Sequence, residues 1–438
     1  MKICMLTNTY RPHVGGVAAS VETLVDECRR RGHSVRVVAP GFPGDDHEPD
    51  PAVLRVPAIQ RFNGSDFSVP VPLPRLVSAD LARFDPGVVH AHHPFLLGDA
   101  ALRWAYAHDR PLVFTHHTLY ENYTHYVPLD SPVLKRFVVR LATDFANCCD
   151  CVVAPSHSVA ELIAERGVEA PIEVIPTGVD TEAFAGADGA SFRQRRGLPA
   201  DAIVLGHVGR LAREKNLDFL ARAVIPWLAA DAARWFLLVG DGPESPGLRR
   251  RFEEAGVAGR VLMTGKLTGA NLCDAYAAMD AFVFASQTET QGMVVAEAMA
   301  AGLPVFALDG PGVRDVVRDA GNGRLVPASA DADTFAGALE RGMEPASLAR
   351  WRGAALRTAR RFDRSSCADD VLRVYRRLGS RRRRRPDDWA WWDRLRGRIE
   401  AEWELLSTKA DSATGSFRTG PGDAGHGSQE GGRPRGHD

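Results

Sequence analysis

Ala281-Phe-Val-Phe-Ala285, Ser286-Gln-Thr-Glu-Thr-Gln291, Gly292-Met-Val-Val-Ala-Glu-Ala-Met-Ala-Ala301, Gly302-Leu-Pro304 and Val305-Phe-Ala-Leu308 follow one another without interruption. The first and last runs are short and apolar, as parallel strands buried on both faces should be. Gly292 opens a run of good helix formers, and Gly302 followed by Pro304 closes it. The order strand, loop, helix, strand is the repeating unit of a parallel α/β sheet. A helix that starts at Gly292 offers backbone N–H groups to an anion such as phosphate. Glu289 stands in the loop beside that place, and Glu297 projects from the helix behind it. Two carboxylates flanking an anion cradle are poorly placed for charge but well placed to accept hydrogen bonds from sugar hydroxyls. That pattern reads as a nucleotide-sugar site. A solvated Glu297 and a Glu289 that merely favours the helix dipole would leave the same pattern.

The alternation extends in both directions. Expected strands in the first half are Ile3–Leu6, Val35–Ala39, Val88–Ala91, Leu112–Thr115, Cys151–Ala154 and Ile172–Ile175, with helical patterns such as Ala18–Arg31 and Pro132–Asn147 between them. A second series follows: Val204–Val208, Phe236–Val239, Val261–Thr264, Phe282–Phe284, Val305–Ala307 and Arg324–Val326. A loose Ala/Gly/Asp stretch near residues 181–200 separates the two, and residues 346–379 read as helix. Two such series predict an α/β protein of two Rossmann-like domains facing across a cleft, with ligands held at the carboxyl ends of the strands.

Size and charge agree with an enzyme of this kind. The chain has 438 residues, 45% of them hydrophobic, and 54 basic against 55 acidic side chains. Bulk charge therefore gives no reason to expect a nucleic-acid partner. Seven cysteines, with Cys148, Cys149 and Cys151 bunched, do not form a secreted disulfide framework. Buried thiols at a helix-to-strand junction fit the bunch; a metal site with His157 is the alternative reading. The N-terminal stretch is too short and too soon polar for a signal peptide, and no run approaches a membrane span. A cytoplasmic protein is expected.

Other strand exits carry chemistry as well. Tyr10-Arg-Pro-His-Val-Gly-Gly-Val17 joins the first strand to the first helix, where adjacent glycines let backbone approach a ligand or simply make a tight turn. Val208-Gly-Arg-Leu-Ala-Arg-Glu-Lys-Asn216 sets Arg210 and Lys215 to converge on a diphosphate, or leaves them solvated. Val239-Gly-Asp-Gly-Pro243 is a third glycine-bearing exit, readable as a plain turn. His90, His92 and His93 end one strand and His116 and His117 the next; Tyr120, Glu121, Tyr123, His125 and Tyr126 follow. No carboxylate or cysteine completes a familiar metal-ligand spacing there, so hydrogen bonding to a sugar and its acceptor suits these groups better, with a structural role for His90 and His92 as the alternative.

With these motifs in this order, residues 1–378 resemble the family-four retaining glycosyltransferases, which have the GT-B fold. Ser286–Pro304 is similar to that family's paired-glutamate signature. The resemblance implies that Glu289 meets hydroxyls of the donor sugar, that Glu297 binds the nucleotide ribose, and that backbone at Gly292 and Met293 touches the diphosphate. It gives Arg210 and Lys215 to the phosphates, Gly16 to the glycine loop, His117 to the donor sugar and Leu267, more loosely, to the base. It also implies front-side attack with retention, no bound metal and no cofactor beyond the nucleotide-sugar substrate. His117, Arg210, Lys215 and Glu289 are the expected catalytic groups.

The implied organisation is an N-terminal acceptor domain over residues 1–180, a linker over 181–200 and a C-terminal donor domain over 201–362. A helix over 363–379 returns to the first domain. A basic, Trp-rich amphipathic segment covers 380–409, and a disordered tail covers 410–438. The segment Phe114–Tyr126 looks like that of bacterial diacylglycerol glucosyltransferases, which makes Tyr120, Glu121, Tyr123, His125 and Tyr126 the expected acceptor side. Arg381–Arg385 and the stripe Trp389, Trp392, Leu395, Ile399, Trp403 and Leu406 suit a peripheral anchor on the inner face of the cytoplasmic membrane, or packing on protein. The expected reaction is transfer of a hexose, with UDP-glucose as donor, to a lipid hydroxyl such as that of diacylglycerol. A soluble saccharide or phosphatidylinositol is the alternative acceptor. A GT-B sugar-nucleotide epimerase and an inactive sugar-binding protein are the alternatives of another class.

Overall fold

The computed structural model describes residues 1–42, 50–60, 68–71, 73–124 and 131–379. His125, Tyr126, the basic run 381–385, the Trp-bearing stripe and the tail from Ala410 lie outside the described residues.

Strands Lys2–Leu6 (β1), Ser34–Pro40 (β2) and Val53–Val56 (β3) are followed by a two-residue pair, Ala58–Ile59 (β4) and Val69–Pro70 (β5), that forms its own antiparallel ribbon. Val88–Ala91 (β6), Leu112–Thr115 (β7), Cys151–Ala154 (β8) and Ile172–Val174 (β9) complete a seven-stranded parallel sheet in the order β3-β2-β1-β6-β7-β8-β9. The second sheet is parallel too. It holds Ile203–Val208 (β10), Arg234–Val239 (β11), Val261–Gly265 (β12), Ala281–Phe284 (β13), Val305–Leu308 (β14) and Gly323–Val326 (β15), in the order β12-β11-β10-β13-β14-β15. Strands β6, β7, β8, β13 and β14 are buried along their whole length, as a sheet covered by helices on both faces requires. These are the two Rossmann-like domains of a GT-B fold.

In each sheet the strand order reverses beside the first strand, between β1 and β6 and between β10 and β13. Open α/β sheets leave a crevice at such a switch point, outside the strand ends. The loops after these four strands therefore border the crevice in which such sheets bind ligands.

Two stretches differ from the sequence-based reading. Residues 346–379 are not one helix: Pro345–Ala359 gives way to a 3-10 turn at Arg360–Phe362, and Arg364–Gly379 begins anew. The break falls at Asp363, which is extended and whose carboxylate accepts from the N–H groups of Ser365 and Ser366, capping the second helix. The loose stretch 181–200 carries two short helices, Thr181–Ala185 and Gly189–Arg196, with Phe184 and Phe192 buried in the core of the second domain.

The Arg364–Gly379 helix lies against the Gly16–Arg30 helix of the first domain. Leu372, Val374 and Tyr375 share a core with Val21, Val25 and Ile3, and a fully buried Leu372 contributes roughly 2 kcal/mol. Arg31 fixes the arrangement through the carbonyl of Ser365 at 2.7 Å and Asp369 at 2.9 Å. The chain thus crosses between domains twice. The two crossings run side by side, joined by Val179 N–H to Phe362 O at 2.7 Å and Arg364 N–H to Val179 O at 3.1 Å. Among the described residues no helix is long and apolar enough to cross a membrane.

Candidate active site

Gly292 is the N-cap of the Met293–Ala300 helix and adopts the left-handed conformation at φ +72°, which glycine reaches without a Cβ penalty. No side chain caps this helix. Val295 N–H already donates to Gly292 O at 2.8 Å, while the N–H groups of Met293 and Val294 have no partner within the helix and are suited to an anion. Met293 is the first helical residue, and both Met293 and Glu297 are half-buried.

Glu289 precedes that helix on the β13 exit and meets Lys215 from the β10 exit, with Nζ donating to Oε1 at 2.6 Å. The two side chains are 15% and 17% exposed, respectively. Burial pushes the Glu289 carboxyl up, but the Lys215 ammonium outweighs it and holds the group below the usual carboxylate range. Burial likewise works against the Lys215 ammonium, and Glu289 and Tyr123 hold its pKa above the ordinary lysine value. Both groups are therefore ionised at neutral pH. Tyr123 reaches this pair from the first domain, with its hydroxyl hydrogen-bonded to Thr288 and its own ionisation suppressed by burial.

Glu297 behaves in the opposite way. Burial raises its carboxyl, opposed in part by the hydroxyl of Tyr276, which donates to Oε2 at 2.7 Å. Tyr276 belongs to the Gly269–Ala277 helix, and its ring packs against Phe184 and Phe282. Tyr276 is not among the site residues expected from the sequence. A hydroxyl on the apolar side of a helix needs a buried partner, and that need is the signal that points to Glu297.

Histidines fill the first domain's strand exits. His90 is fully buried between Tyr375 and Thr115, at 2.5 Å and 2.7 Å, and burial lowers its pKa to about 3. His90 therefore has a structural part, bracing the last helix against β7. His93 accepts from the backbone N–H of Asn8 at 3.1 Å. His117 sits 2.9 Å from His92, ring nitrogen to ring nitrogen. The His117 carbonyl accepts from Thr290 of the second domain at 2.7 Å. In the second domain His207 donates from Nδ1 to Val283 O and lies beside Lys215 and Glu289, a neighbour that the sequence reading did not include.

The Ser286–Gly292 loop also fastens the domains together. Ser156 donates to Thr290 O at 2.7 Å. Gln291 pairs twice with the Thr177 backbone, accepting from its N–H at 2.6 Å and donating to its carbonyl at 2.9 Å. Gln291 is 3% exposed, so both bonds are shielded from water. Together with Tyr123 on Thr288, these bonds bring the loop that carries Glu289 against the first domain at three of its residues.

Other expected positions fall as follows. Gly16 begins the Gly16–Arg30 helix behind an extended N-cap, Gly15, and a Cβ on Gly16 would meet nothing within 4 Å. Arg210 is half-buried in the β10 loop. The turn after β11 backs that loop, since a Cβ at Gly240 would fall 1.8 Å from Gly209 O. Leu267 packs onto the core of the second domain. Tyr120 rests on Phe95 and His116, and Glu121 is paired with Arg166 at 2.5 Å. Cys148 and Cys149 are buried thiols that donate to helix carbonyls, and Cys151 is buried in β8.

Residues 14–183 match the description Glycosyltransferase Family 4, and residues 202–344 match Glycosyl transferases group 1. The chain is similar to the alpha-monoglucosyldiacylglycerol synthase of Streptococcus pneumoniae, 27% identical over 331 residues, covering 73% of this chain and 74% of the relative. It is 33% identical to the GDP-mannose-dependent alpha-mannosyltransferase of Mycolicibacterium smegmatis over 344 residues, covering 77% of this chain and 87% of the relative. The fold matches that of the Anabaena protein HepE, crystallised with UDP-glucose, at a TM-score of 0.68 and 21% identity, over 85% of this chain and 99% of HepE. Two Rossmann-like domains in this order, both family descriptions and a relative 33% identical over 77% of this chain lead to one conclusion: the chain belongs to glycosyltransferase family 4 and is a hexosyltransferase.

Proposed function

We propose that this enzyme takes a hexose from a nucleotide sugar, UDP-glucose, and transfers it with retention to a lipid hydroxyl such as that of diacylglycerol. The carrying observation is the meeting of Lys215 with Glu289 beside the Gly292 helix start, with Tyr123 of the other domain against the pair. An ionised Glu289 accepts hydrogen bonds from sugar hydroxyls and positions the ring rather than attacking it. Glu297, shifted toward its neutral form, serves the ribose. Backbone at Gly292 and Met293, Gly16 across the cleft, and Arg210 with Lys215 surround the diphosphate. These cationic groups stabilise the charge that grows on the leaving oxygen. In front-side attack the bond from the anomeric carbon to the phosphate oxygen breaks as the acceptor oxygen bonds on the same face. The departing phosphate takes the acceptor proton. The scheme assigns charge neutralisation to side chains and the helix start rather than to a metal ion. In this reading Leu267 serves the base, His117 the sugar, and Tyr120, Glu121 and Tyr123 the acceptor.

A second reading, mannosyl transfer from GDP-mannose, is favoured by the higher identity to the mannosyltransferase, 33% against 27%. Titration calorimetry with UDP-glucose and GDP-mannose separates the donors. Transfer assays onto diacylglycerol vesicles, phosphatidylinositol vesicles and a soluble saccharide then separate the acceptors, with the product anomer read by NMR. Binding of UDP-glucose and an α-linked glycolipid support the first reading; binding of GDP-mannose alone replaces it. Deleting residues after Gly379 is expected to release the protein from those vesicles, and unchanged partitioning would end the idea of a C-terminal anchor.

A further inference from the structure

We infer that His92 is a positioning residue for transfer, donating from Nδ1 to Nε2 of His117 and so holding the His117 ring as its Nδ1–H tautomer. The inference rests on the reading of His117 as the group beside the donor sugar.

His92 is 1% exposed, and its Nδ1 lies 2.9 Å from His117 Nε2, so the two rings share one hydrogen bond and one proton. The other nitrogen of His92, Nε2, is buried with no hydrogen-bond partner among the described residues. A buried N–H without an acceptor is a costlier orphan than a bare ring nitrogen, which puts the His92 proton on Nδ1. His117 Nε2 must then accept, and the His117 proton resides on Nδ1. The His92 ring is held in turn from behind. It lies tilted against His90 with ring centroids 4.2 Å apart, and Tyr375 and Thr115 grip His90 from either side.

Packing alone does not fix His117. A cavity of about 40 Å³ is lined by both rings together with Thr115, Ser20 and Thr177, so side-chain packing leaves one side of His117 unfilled. The hydrogen bond from His92 therefore sets its tautomer and its orientation. Burial drives the pKa of both rings well below the ordinary histidine value, so the pair stays neutral across the working pH range.

The test compares His92→Asn, His92→Gln, His92→Leu and His117→Ala in the full chain, with donor and acceptor kinetics. Asparagine sets an amide nitrogen where Nδ1 stands and glutamine sets one where Nε2 stands. His92→Asn is expected to keep kcat, while His92→Gln and His92→Leu lose about tenfold in kcat with donor KM little changed. Nitrogen-15 spectra of histidine-labelled protein are expected to show His117 as Nδ1–H in wild type and in His92→Asn, and as mixed tautomers in His92→Gln. If His117→Ala is impaired while all three His92 variants match wild type, the inference is overturned and the role of His117 stands. If His117→Ala matches wild type, the underlying reading is the one that fails. Should His92→Leu not fold, the Asn and Gln variants decide.

Discussion

Lys215 Nζ lies 2.6 Å from Glu289 Oε1, although the two residues belong to different strand exits. Strands β10 and β13 are direct neighbours, with Gly206 opposite Phe282, so their exits emerge side by side. Sheet order, rather than nearness in sequence, brings the cation and the carboxylate together.

Glu289→Gln is expected to lower the unfolding free energy by about 3 kcal/mol, because it leaves the Lys215 ammonium sheltered without its counter-charge. Urea denaturation measures this. Adding Lys215→Met should restore most of the stability but none of the transfer activity, a non-additivity that marks direct contact. A single variant as stable as wild type would show the pair to be energetically silent.

The two paired carboxyls respond to pH with opposite sign. Glu289 has a folded pKa below its ordinary value of 4.5, so its contribution is present above that value and fades as pH falls through the folded one. The folded pKa of Glu297 is raised above the same 4.5, so stability is full below that value and declines as pH rises through the folded pKa. Glu297→Gln should remove this decline while keeping an acceptor for Tyr276. Melting temperatures recorded from about pH 5 to about pH 8 should then fall less steeply than in wild type. Donor affinity, read by calorimetry, should weaken by roughly tenfold as the amide makes a poorer hydrogen bond with the ribose.

Gln291→Leu tests the fastening between domains. It removes both bonds to Thr177 and leaves a buried N–H and carbonyl facing an apolar side chain, at about 1–3 kcal/mol for each orphan. Small-angle scattering should report a wider average separation of the domains, and kcat should fall more than donor affinity. An unchanged scattering profile with unchanged kcat would remove Gln291 from the closing machinery.

Gly292→Ala places a Cβ 3.4 Å from Val295 Cγ2 on a backbone held at φ +72°. Strain of about 1 kcal/mol is expected. The methyl group also stands at the helix start where an anion would approach. A raised donor KM with a small loss of melting temperature is the expected pair of readings; a stability loss without any change in KM would place the anion elsewhere.

Fold was legible in this sequence because its strands are buried on both faces. Val88–Ala91, Leu112–Thr115 and Cys151–Ala154 are short, mainly apolar runs whose ends coincide with the observed strands. Val53–Val56 escaped notice since an arginine interrupts a four-residue edge strand. The break at Asp363 escaped for a different reason: good helix formers stand on both sides, and the extended turn is imposed by pairing with Val179, far away in sequence. The candidate site is readable in the sequence only as a set of residue types at strand exits. Their pairing is not. Nothing in the spacing between Lys215 and Glu289, or between Tyr276 and Glu297, says that the members touch, because only the parallel sheet order and helix packing bring them together.

The paired crossings at Val179 and Asp363 have a mechanical consequence. A single connecting strand would let one domain swivel freely on the other, whereas two backbones bonded edge to edge resist torsion and permit bending about one axis. They also make the first domain discontinuous in sequence. A fragment ending at residue 180 would lack the helix that covers Val21 and Val25 and would expose an apolar seam. Excising either half by a single cut therefore yields a sticky, half-clothed body, and complementation needs the last helix supplied in trans.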